Sequence, residues 1–227
     1  MEKGTVKEHT YNFTYRVNVE KYLIPFFKKA KLIDIKQADI QKYFNKVDNN
    51  GEFLAKSTLE KHKMILKSIF DKAIDNDYCY KNPVKDIKMP NTATVKIREV
   101  YSSDVAAQAE KYAKKHLAGL GIVIILNTGV RRSELLGLKW DDIDFEKNRI
   151  RIERAVTQTV GEVLIGEPKT ETSKRIIPVS KDFLDYLETI LRKSEYVIAG
   201  ESNNPKTPNS YSVEFKKIME QMELDIG

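Results

Sequence analysis

The segment LNTGVRRSELLGLKW, residues 126–140, joins an apolar run to a pair of adjacent arginines. The run, residues 122–126, is apolar enough for burial, and it ends at an Asn-Thr-Gly turn, residues 127–129. Arg131 then opens a leucine-rich segment that the spacing predicts to be helical. A guanidinium at such a place needs a partner, because burying an unpaired charge is costly. Glu134, three residues later, lies on the same helix face and can hold Arg131 by a hydrogen bond.

Two interpretations of Arg131 follow from these residues alone. In the first, Arg131 and Glu134 form a partly buried ion pair that only stabilises the start of a helix. In the second, the guanidinium offers a planar fork of donors to two oxygens of one phosphate, and Glu134 keeps the fork in place. A preorganised arginine of that kind suits phosphoryl transfer, since negative charge builds up on the equatorial oxygens in the transition state.

Length and composition limit the class of protein. The 227 residues fit one large or two ordinary domains, and 32% charged with 41% apolar residues is a globular balance. No apolar run approaches the roughly 20 residues that span a bilayer, and the N-terminus lacks the apolar region of a secretory signal. Cys79 is the only cysteine, which excludes an internal disulfide and a cysteine-built zinc site. We therefore predict a cytoplasmic protein.

The excess positive charge lies in the first part of the chain. Residues 1–90 contain 18 Lys and Arg against 12 Asp and Glu, whereas residues 91–227 contain 21 of each. The net charge of +6 thus belongs to the first ninety residues. Such an asymmetry favours contact with a polyanion such as nucleic acid, although a solvated lysine-rich surface would have the same composition.

The first ninety residues predict helices only. Apolar residues at helical spacing indicate helices over about 11–29, 37–47 and 57–75. Ser57 or Thr58 is a candidate cap for the third helix, whose apolar stripe is formed by Leu59, Leu66, Ile69, Phe70 and Ala73. Its other side carries Lys56, Lys63 and Lys67 at spacings of seven and four. These lysines share a face that either binds phosphates or is simply solvated.

A polar stretch with two prolines, residues 80–99, indicates a domain boundary. We predict a helical domain over 1–90, a linker over 91–99 and a second domain over 100–227. In the second domain the periodicity predicts helices near 103–115, 117–126, 131–138, 181–191 and 212–222, and short strands near 149–155, 163–165 and 175–179. The predicted fold class is mainly α with a small antiparallel sheet.

The sequence NTGVRRSELLGLKWDDIDFEKNRIRI, residues 127–152, resembles the first signature box of the tyrosine recombinases, the phage integrase family. The stretch GEPKTETSKRIIPVS, residues 166–180, is similar to that family's hairpin, whose turn presents an active-site lysine. The stretch LIDIKQADIQKYF, residues 32–44, resembles the family's SAM-like core-binding domain. The resemblance implies that this domain grips DNA and that the second is part of an α+β catalytic domain.

The resemblance also implies roles for individual residues. Arg131 matches the first catalytic arginine, and Glu134 matches the acidic residue that supports it. Lys169 matches the hairpin lysine, which acts as general acid on the leaving 5′-oxygen. Backbone phosphate contacts are expected from Lys56, Lys63, Lys67, Arg132, Lys174 and Arg175, although Lys174 and Arg175 could equally be solvated.

The chain departs from the family pattern after Lys169. The family needs a His-x-x-Arg box and a nucleophilic tyrosine there, yet all three histidines, at 9, 62 and 116, precede Arg131. Tyr186, Tyr196 and Tyr211 follow Lys169 but do not match the nucleophile. We therefore expect a truncated integrase that binds double-stranded DNA without cleaving it and whose full-length form self-associates on DNA. The family chemistry needs no metal and no cofactor.

Two other functions fit some of these residues. A non-catalytic DNA-binding module that occupies or regulates an integration site would need the same basic residues and no nucleophile. A metal-dependent nuclease could use the carboxylates of DDIDFE, residues 141–146, as ligands. Asp142 and Asp144 are more simply explained as the entry to a strand and a turn, and a Mg²⁺ requirement for nicking would favour the nuclease.

Overall fold

The computed structural model describes residues 10–49, 51–90, 102–159, 162–166 and 174–222. The chain divides into two compact units, Met1–Arg98 and Glu99–Gly227. Both consist mainly of helices with small antiparallel sheets, which confirms the predicted fold class. The prediction of helices only for the first ninety residues is wrong, because Asp48–Asn49 pairs with Glu52–Phe53. In the part of the chain that the structure describes, no helix has the length and apolarity that crossing a membrane would take.

The N-terminal unit starts with irregular helical turns and ends with a long helix. Its elements are π-helical turns Tyr11–Arg16 and Val19–Leu23, helix α1 (Ile24–Phe27), a 3₁₀ turn (Leu32–Asp34), helix α2 (Gln37–Lys46), strands β1 (Asp48–Asn49) and β2 (Glu52–Phe53), and helix α3 (Lys56–Asp75). The helix predicted over 11–29 is therefore continuous from residue 10 to residue 27, but it changes between π and α hydrogen bonding along its length. Pro25 lies in the first turn of α1 and supplies no N–H to the helical turn before it. Lys28 ends the helix with a positive φ of 51°.

Helix α3 buries the predicted apolar stripe. Leu59, Leu66, Phe70 and Ala73 are buried, and Ile69 packs against the same core. The predicted cap is wrong: Ala55 precedes the first helical residue, and no side chain caps the helix. The stripe also contains the buried His62, whose ring nitrogens lie 2.7 Å from the Tyr43 hydroxyl and 2.8 Å from Asn18 Oδ1. The core of this unit is thus apolar with one polar centre.

In the C-terminal unit, helices pack around two small antiparallel sheets. Its helices are α4 (Ser103–Ala113), α5 (Leu120–Thr128), α6 (Arg132–Gly137), α7 (Lys181–Glu188) and α8 (Pro208–Gln221), and its strands are β3 (Ile143–Asp144), β4 (Arg149–Ile152), β5 (Ala155–Gln158), β6 (Val163–Gly166) and β7 (Arg175–Pro178). Ser102 caps α4, because its hydroxyl accepts the Val105 N–H. Helix α8 begins four residues earlier than the predicted Ser212, since Thr207 caps it and Pro208 suits its first turn.

The strands of the C-terminal unit pair in two separate sheets. β4 pairs with β7, with Ile152 opposite Arg175, and β5 pairs with β6, with Ala155 opposite Gly166. Only residues 153 and 154 separate β4 from β5, whereas residues 167–174 separate β6 from β7. β3, β4 and β7 form a three-stranded sheet, and β5 and β6 form a separate two-stranded sheet. Helices α5 and α6 pack against β4 and β5 through a core that includes Ile124, Leu135, Leu136, Ile150 and Ile152.

Candidate active site

A tight turn between α5 and α6 sets the position of Arg131. Gly129 ends α5 in the left-handed conformation, with φ 64°, which a side chain rarely adopts. The Thr128 hydroxyl donates to the Ile124 carbonyl at 2.6 Å and accepts the Val130 N–H at 3.4 Å. Val130 is buried, so the turn is anchored in the core immediately before Arg131. Arg131 itself has extended backbone angles and precedes the first residue of α6.

Glu134 holds both the backbone and the side chain of Arg131. Its Oε2 accepts the Arg131 backbone N–H at 3.0 Å, and its Oε1 accepts Arg131 Nη1 at 2.8 Å. The side chain of Glu134 is only 2% exposed, whereas that of Arg131 is 69% exposed. The carboxylate is thus part of the interior, and the guanidinium that it orients faces solvent.

A second arginine reaches the same carboxylate from the sheet. Nη2 of Arg175, the first residue of β7, donates to Glu134 Oε2 at 2.9 Å, and its side chain is 30% exposed. Burial alone would raise the pKa of Glu134. The hydrogen bonds from Arg175 and from the backbone and side chain of Arg131, with the charge of Arg175, instead lower this pKa to about 2. Glu134 is therefore ionised at neutral pH, and one negative charge lies between two positive ones.

The other predicted residues have separate positions. Arg132 donates to the Ser212 hydroxyl at 2.5 Å and so connects α6 to α8. In the N-terminal unit Lys56 and Lys67 are exposed on α3, whereas Lys63 is half-buried and donates to the Ile87 carbonyl at 2.9 Å. Lys174 is exposed just before β7. Lys169 lies outside the described residues. The structure therefore brings together Arg131, Glu134 and Arg175.

The three tyrosines after β7 are buried or half-buried. Tyr211 is 3% exposed, and its buried hydroxyl has no hydrogen-bond partner in the described part of the chain. Burial, then the charge of Glu214, raises the pKa of Tyr211. Burial, then Glu110, likewise raises the pKa of the half-buried Tyr186. Tyr196 is 6% exposed and packs under the Lys139 ammonium, 5.0 Å from its ring centre.

The carboxylates that could have held a metal are engaged by cations and backbone. Asp142 is 4% exposed, accepts the Lys139 N–H at 2.8 Å and pairs with Arg154 at 2.5 Å. Asp144 accepts the Lys147 N–H and pairs with Arg149, both at 3.0 Å. Within the described ranges no three His, Cys, Asp or Glu side chains form a group that could hold a metal ion. The contacts of Asp142 and Asp144 are those of a strand entry and a turn.

Comparison with protein families matches both units. Residues 98–226 match the model of the phage integrase family, and residues 1–47 match the model of the phage integrase N-terminal SAM-like domain. The first match alone covers more than half of the chain, including Arg131, Glu134 and Arg175. The chain belongs to the phage integrase family. The predicted SAM-like N-terminal domain and integrase catalytic fold are confirmed.

Comparisons with individual proteins indicate the same family. The chain is 33% identical over 175 residues to a tyrosine recombinase XerC-like protein of Caldanaerobacter subterraneus subsp. tengcongensis. This match covers 70% of the chain and 44% of the relative. The structure of the Tn1549 transposon integrase in complex with transposon right-end DNA matches with a TM-score of 0.79 at 21% identity, over 96% of this chain and 74% of that one. The structure of a lambda integrase dimer bound to a core site matches with a TM-score of 0.67 at 19% identity, over 99% of this chain and 75% of that one. These two structures show the shared fold.

This integrase-family chain spans about half the length of the curated relatives that it matches, 44% and 55% for the first two. Within that span, the sequence predicted the Arg131–Glu134 pair from its local spacing. It did not predict that Arg175 also pairs with Glu134, because the two residues are 41 positions apart and no local pattern indicates the contact. The only sequence signal was a basic residue at the start of a predicted strand.

Proposed function

We propose that this chain supplies the DNA-gripping domain and the first catalytic arginine of a site-specific tyrosine recombinase. Such an enzyme breaks and rejoins DNA through a 3′-phosphotyrosyl intermediate, without a metal or cofactor. One observation carries the proposal: Arg131 presents an exposed guanidinium that a buried carboxylate holds in place at 2.8 Å. Family membership supplies the type of reaction, and the geometry is consistent with it.

Each residue has a role in this proposal. Arg131 binds the scissile phosphate and stabilises the negative charge of the transition state. Glu134 orients Arg131 without contacting the substrate. Lys169 protonates the leaving 5′-oxygen, because an ammonium on a flexible stem can reach it and release a proton. Contacts to other phosphates come from Arg132 and Lys174 and, in the N-terminal unit, from Lys56, Lys63 and Lys67.

The nucleophile is not among these residues in our proposal. A tyrosine that attacks phosphorus must be accessible and must lose its proton easily. Tyr211 and Tyr196 are buried, and burial raises the pKa of Tyr186 and Tyr211. Hence we infer that these 227 residues bind DNA without cleaving it. The same observation favours a second function, a non-catalytic module that occupies or regulates an integration site.

The partner is double-stranded DNA, gripped by a helical domain over 1–90 that a linker, 91–99, joins to the catalytic part at 100–227. The charge distribution supports this, since residues 1–90 hold the whole net excess of +6. The Tn1549 integrase structure contains DNA, and the lambda integrase structure is a dimer on DNA. We propose that the recombinase containing this chain likewise self-associates on DNA, as a DNA-associated cytoplasmic protein.

Nicked suicide duplexes test the function directly. The purified chain is mixed with duplexes carrying candidate sites, and each sample is run on native and on denaturing gels. We expect a native mobility shift and no adduct that survives denaturation. A covalent adduct would show that one of the eleven tyrosines is the nucleophile. No shift on any duplex, at low salt, would contradict the DNA-binding proposal.

A further inference from the structure

The two oxygens of Glu134 are divided between two arginines. Among the described residues, Oε1 accepts Nη1 of Arg131 alone, at 2.8 Å, and Oε2 accepts Nη2 of Arg175 at 2.9 Å together with the Arg131 backbone N–H. An arginine and a carboxylate left to themselves often pair through two parallel hydrogen bonds. Arg131 is limited to one such bond because Arg175 and the backbone fill the other oxygen.

The single bond leaves Arg131 with most of its donors available. A guanidinium has five N–H donors, and among the described residues only Glu134 accepts one from the Arg131 side chain. A bond to both oxygens would turn the fork toward the interior and away from a phosphate. The cluster also has two positive charges against one negative charge. Without Arg175, Glu134 would cancel the charge of Arg131.

The backbone explains why Arg175 is the anchoring member of the pair. Arg175 lies opposite Ile152 in the register of β4 and β7, and Ile152 is 2% exposed. Sheet hydrogen bonds therefore fix its Cα, and its side chain is less than half as exposed as that of Arg131, 30% against 69%. Arg175 is placed to hold Glu134, and Arg131 is placed to meet a ligand.

We propose that Arg175 is a positioning residue that keeps Arg131 open for a phosphate, by occupying one oxygen of Glu134 and offsetting its charge. The inference rests on the proposed function, since the ligand is a DNA phosphate. It differs from the expectation that Arg175 grips a backbone phosphate itself. The two roles predict different results when Glu134 is also changed.

A double-substitution cycle separates the two roles. Binding of the 227-residue chain to a fluorescent duplex of random sequence is measured for the parent, Arg175→Gln, Glu134→Gln and the double variant. We expect Arg175→Gln to weaken binding about tenfold, the size of one charge-assisted hydrogen bond. The double variant should bind as tightly as Glu134→Gln, because no carboxylate is left to close Arg131. An equal loss in both backgrounds would show a direct phosphate contact and overturn the proposal.

Two further variants control for charge and folding. Arg149→Gln removes an arginine of similar exposure, 34%, that pairs with Asp144 in the neighbouring strand, and it should not change binding. Arg175→Lys retains the charge and one donor, so it should bind nearly as tightly as the parent. If Arg175→Gln does not fold, Arg175→Lys still decides: a folded Arg175→Lys variant with the full tenfold loss contradicts the proposal.

The free protein gives a test that does not depend on DNA. Nitrogen-15 spectra of the guanidinium groups are recorded at neutral pH, with the Arg131 signal assigned by its loss in Arg131→Lys. In Arg175→Gln we expect slower rotation about the Arg131 guanidinium bonds, because both oxygens of Glu134 then hold it. An unchanged Arg131 signal in a folded variant would overturn the positioning role. A changed signal in a chain that binds no duplex would leave the positioning intact and refute the proposed function.

Discussion

The two units treat a buried polar group in opposite ways. In the N-terminal unit His62 is 0% exposed, and the Tyr43 hydroxyl and the Asn18 amide satisfy its two ring nitrogens. In the C-terminal unit Glu134 is 2% exposed, but its partners Arg131 and Arg175 extend to solvent. The first centre is neutral and closed, and the second is charged and open on one side. A closed centre can only stabilise a fold, whereas an open one retains donors for a ligand.

Hydrogen bonding fixes the neutral state of His62. The Asn18 amide nitrogen donates to the Thr14 carbonyl, so Asn18 Oδ1 is an acceptor and His62 Nε2 carries the proton. Nδ1 then accepts from the Tyr43 hydroxyl. Burial lowers the pKa of His62 from 6.5 to about 4, because removing the ring from water disfavours its charged form.

The largest expected effect is a loss of stability of the N-terminal unit at acid pH, caused by protonation of His62. Because the folded pKa of His62 lies below the ordinary value, its stability contribution is complete above pH 6.5 and is lost as pH falls towards 4. The loss should be about 2 to 3 kcal/mol in the free energy of unfolding of the N-terminal unit. Hydrogen exchange of the α3 amides, Lys56–Asp75, measured from pH 7 to 4 and corrected for intrinsic rates, reports it.

The exposed His116 provides the control for that measurement. His116→Gln should leave the pH dependence of α3 exchange unchanged, since His116 lies in the other unit and is stacked on Tyr112 at the surface. His62→Gln should abolish the dependence between pH 6.5 and 4, whatever its cost at neutral pH. An unaltered pH dependence in His62→Gln would mean that another group titrates.

The charged centre at Glu134 should lose stability at a lower pH than the His62 centre, and the loss should be smaller. The lowered pKa of Glu134 means that its contribution is complete above about 4.5 and is lost as pH falls to about 2. We expect a loss of about 1 to 2 kcal/mol, since exposed Arg131 is screened by water. Trp140 is the only tryptophan, is 6% exposed and lies in this unit, so its fluorescence in urea melts at each pH measures the effect.

Glu134→Gln identifies the titrating group. This variant should lose the pH dependence of the Trp140 melts between 4.5 and 2. Asp144→Asn is the matched control, because Asp144 also pairs with an arginine but is more exposed, at 24% for its side chain. If both units lost stability over one pH range, the contrast between a neutral and a charged centre would be wrong.

Contacts that are local in sequence could be predicted, and the centres themselves could not. The apolar stripe of α3 and the Arg131–Glu134 pair follow from spacings of three and four residues. His62 meets partners 19 and 44 residues away, and Arg175 meets Glu134 over 41 residues. Such contacts depend on packing and strand register, which no local pattern shows. The wrong cap of α3 has a related cause, because Ser57 and Thr58 are both good caps but the helix begins before them.

The smallest expected effect concerns the lysines of α3 that we propose to contact DNA. Lys67 is exposed, whereas Lys63 donates to the Ile87 carbonyl at 2.9 Å. Lys67→Gln should reduce the slope of log affinity against log salt by about one and leave stability within about 0.5 kcal/mol. Lys63→Gln should cost about 1 kcal/mol of stability, because the Ile87 carbonyl loses its donor.

Lys72 makes the comparison specific to one face of α3. Lys72 is exposed on the same helix but lies about 160° around it from Lys56, whereas Lys67 lies within about 20°. Lys72→Gln should therefore leave the salt slope unchanged if the face of Lys56 and Lys67 binds DNA. Equal slopes for Lys67→Gln and Lys72→Gln would mean that α3 attracts DNA through its overall charge. The N-terminal unit would then have no counterpart to the open, directed donors of Arg131.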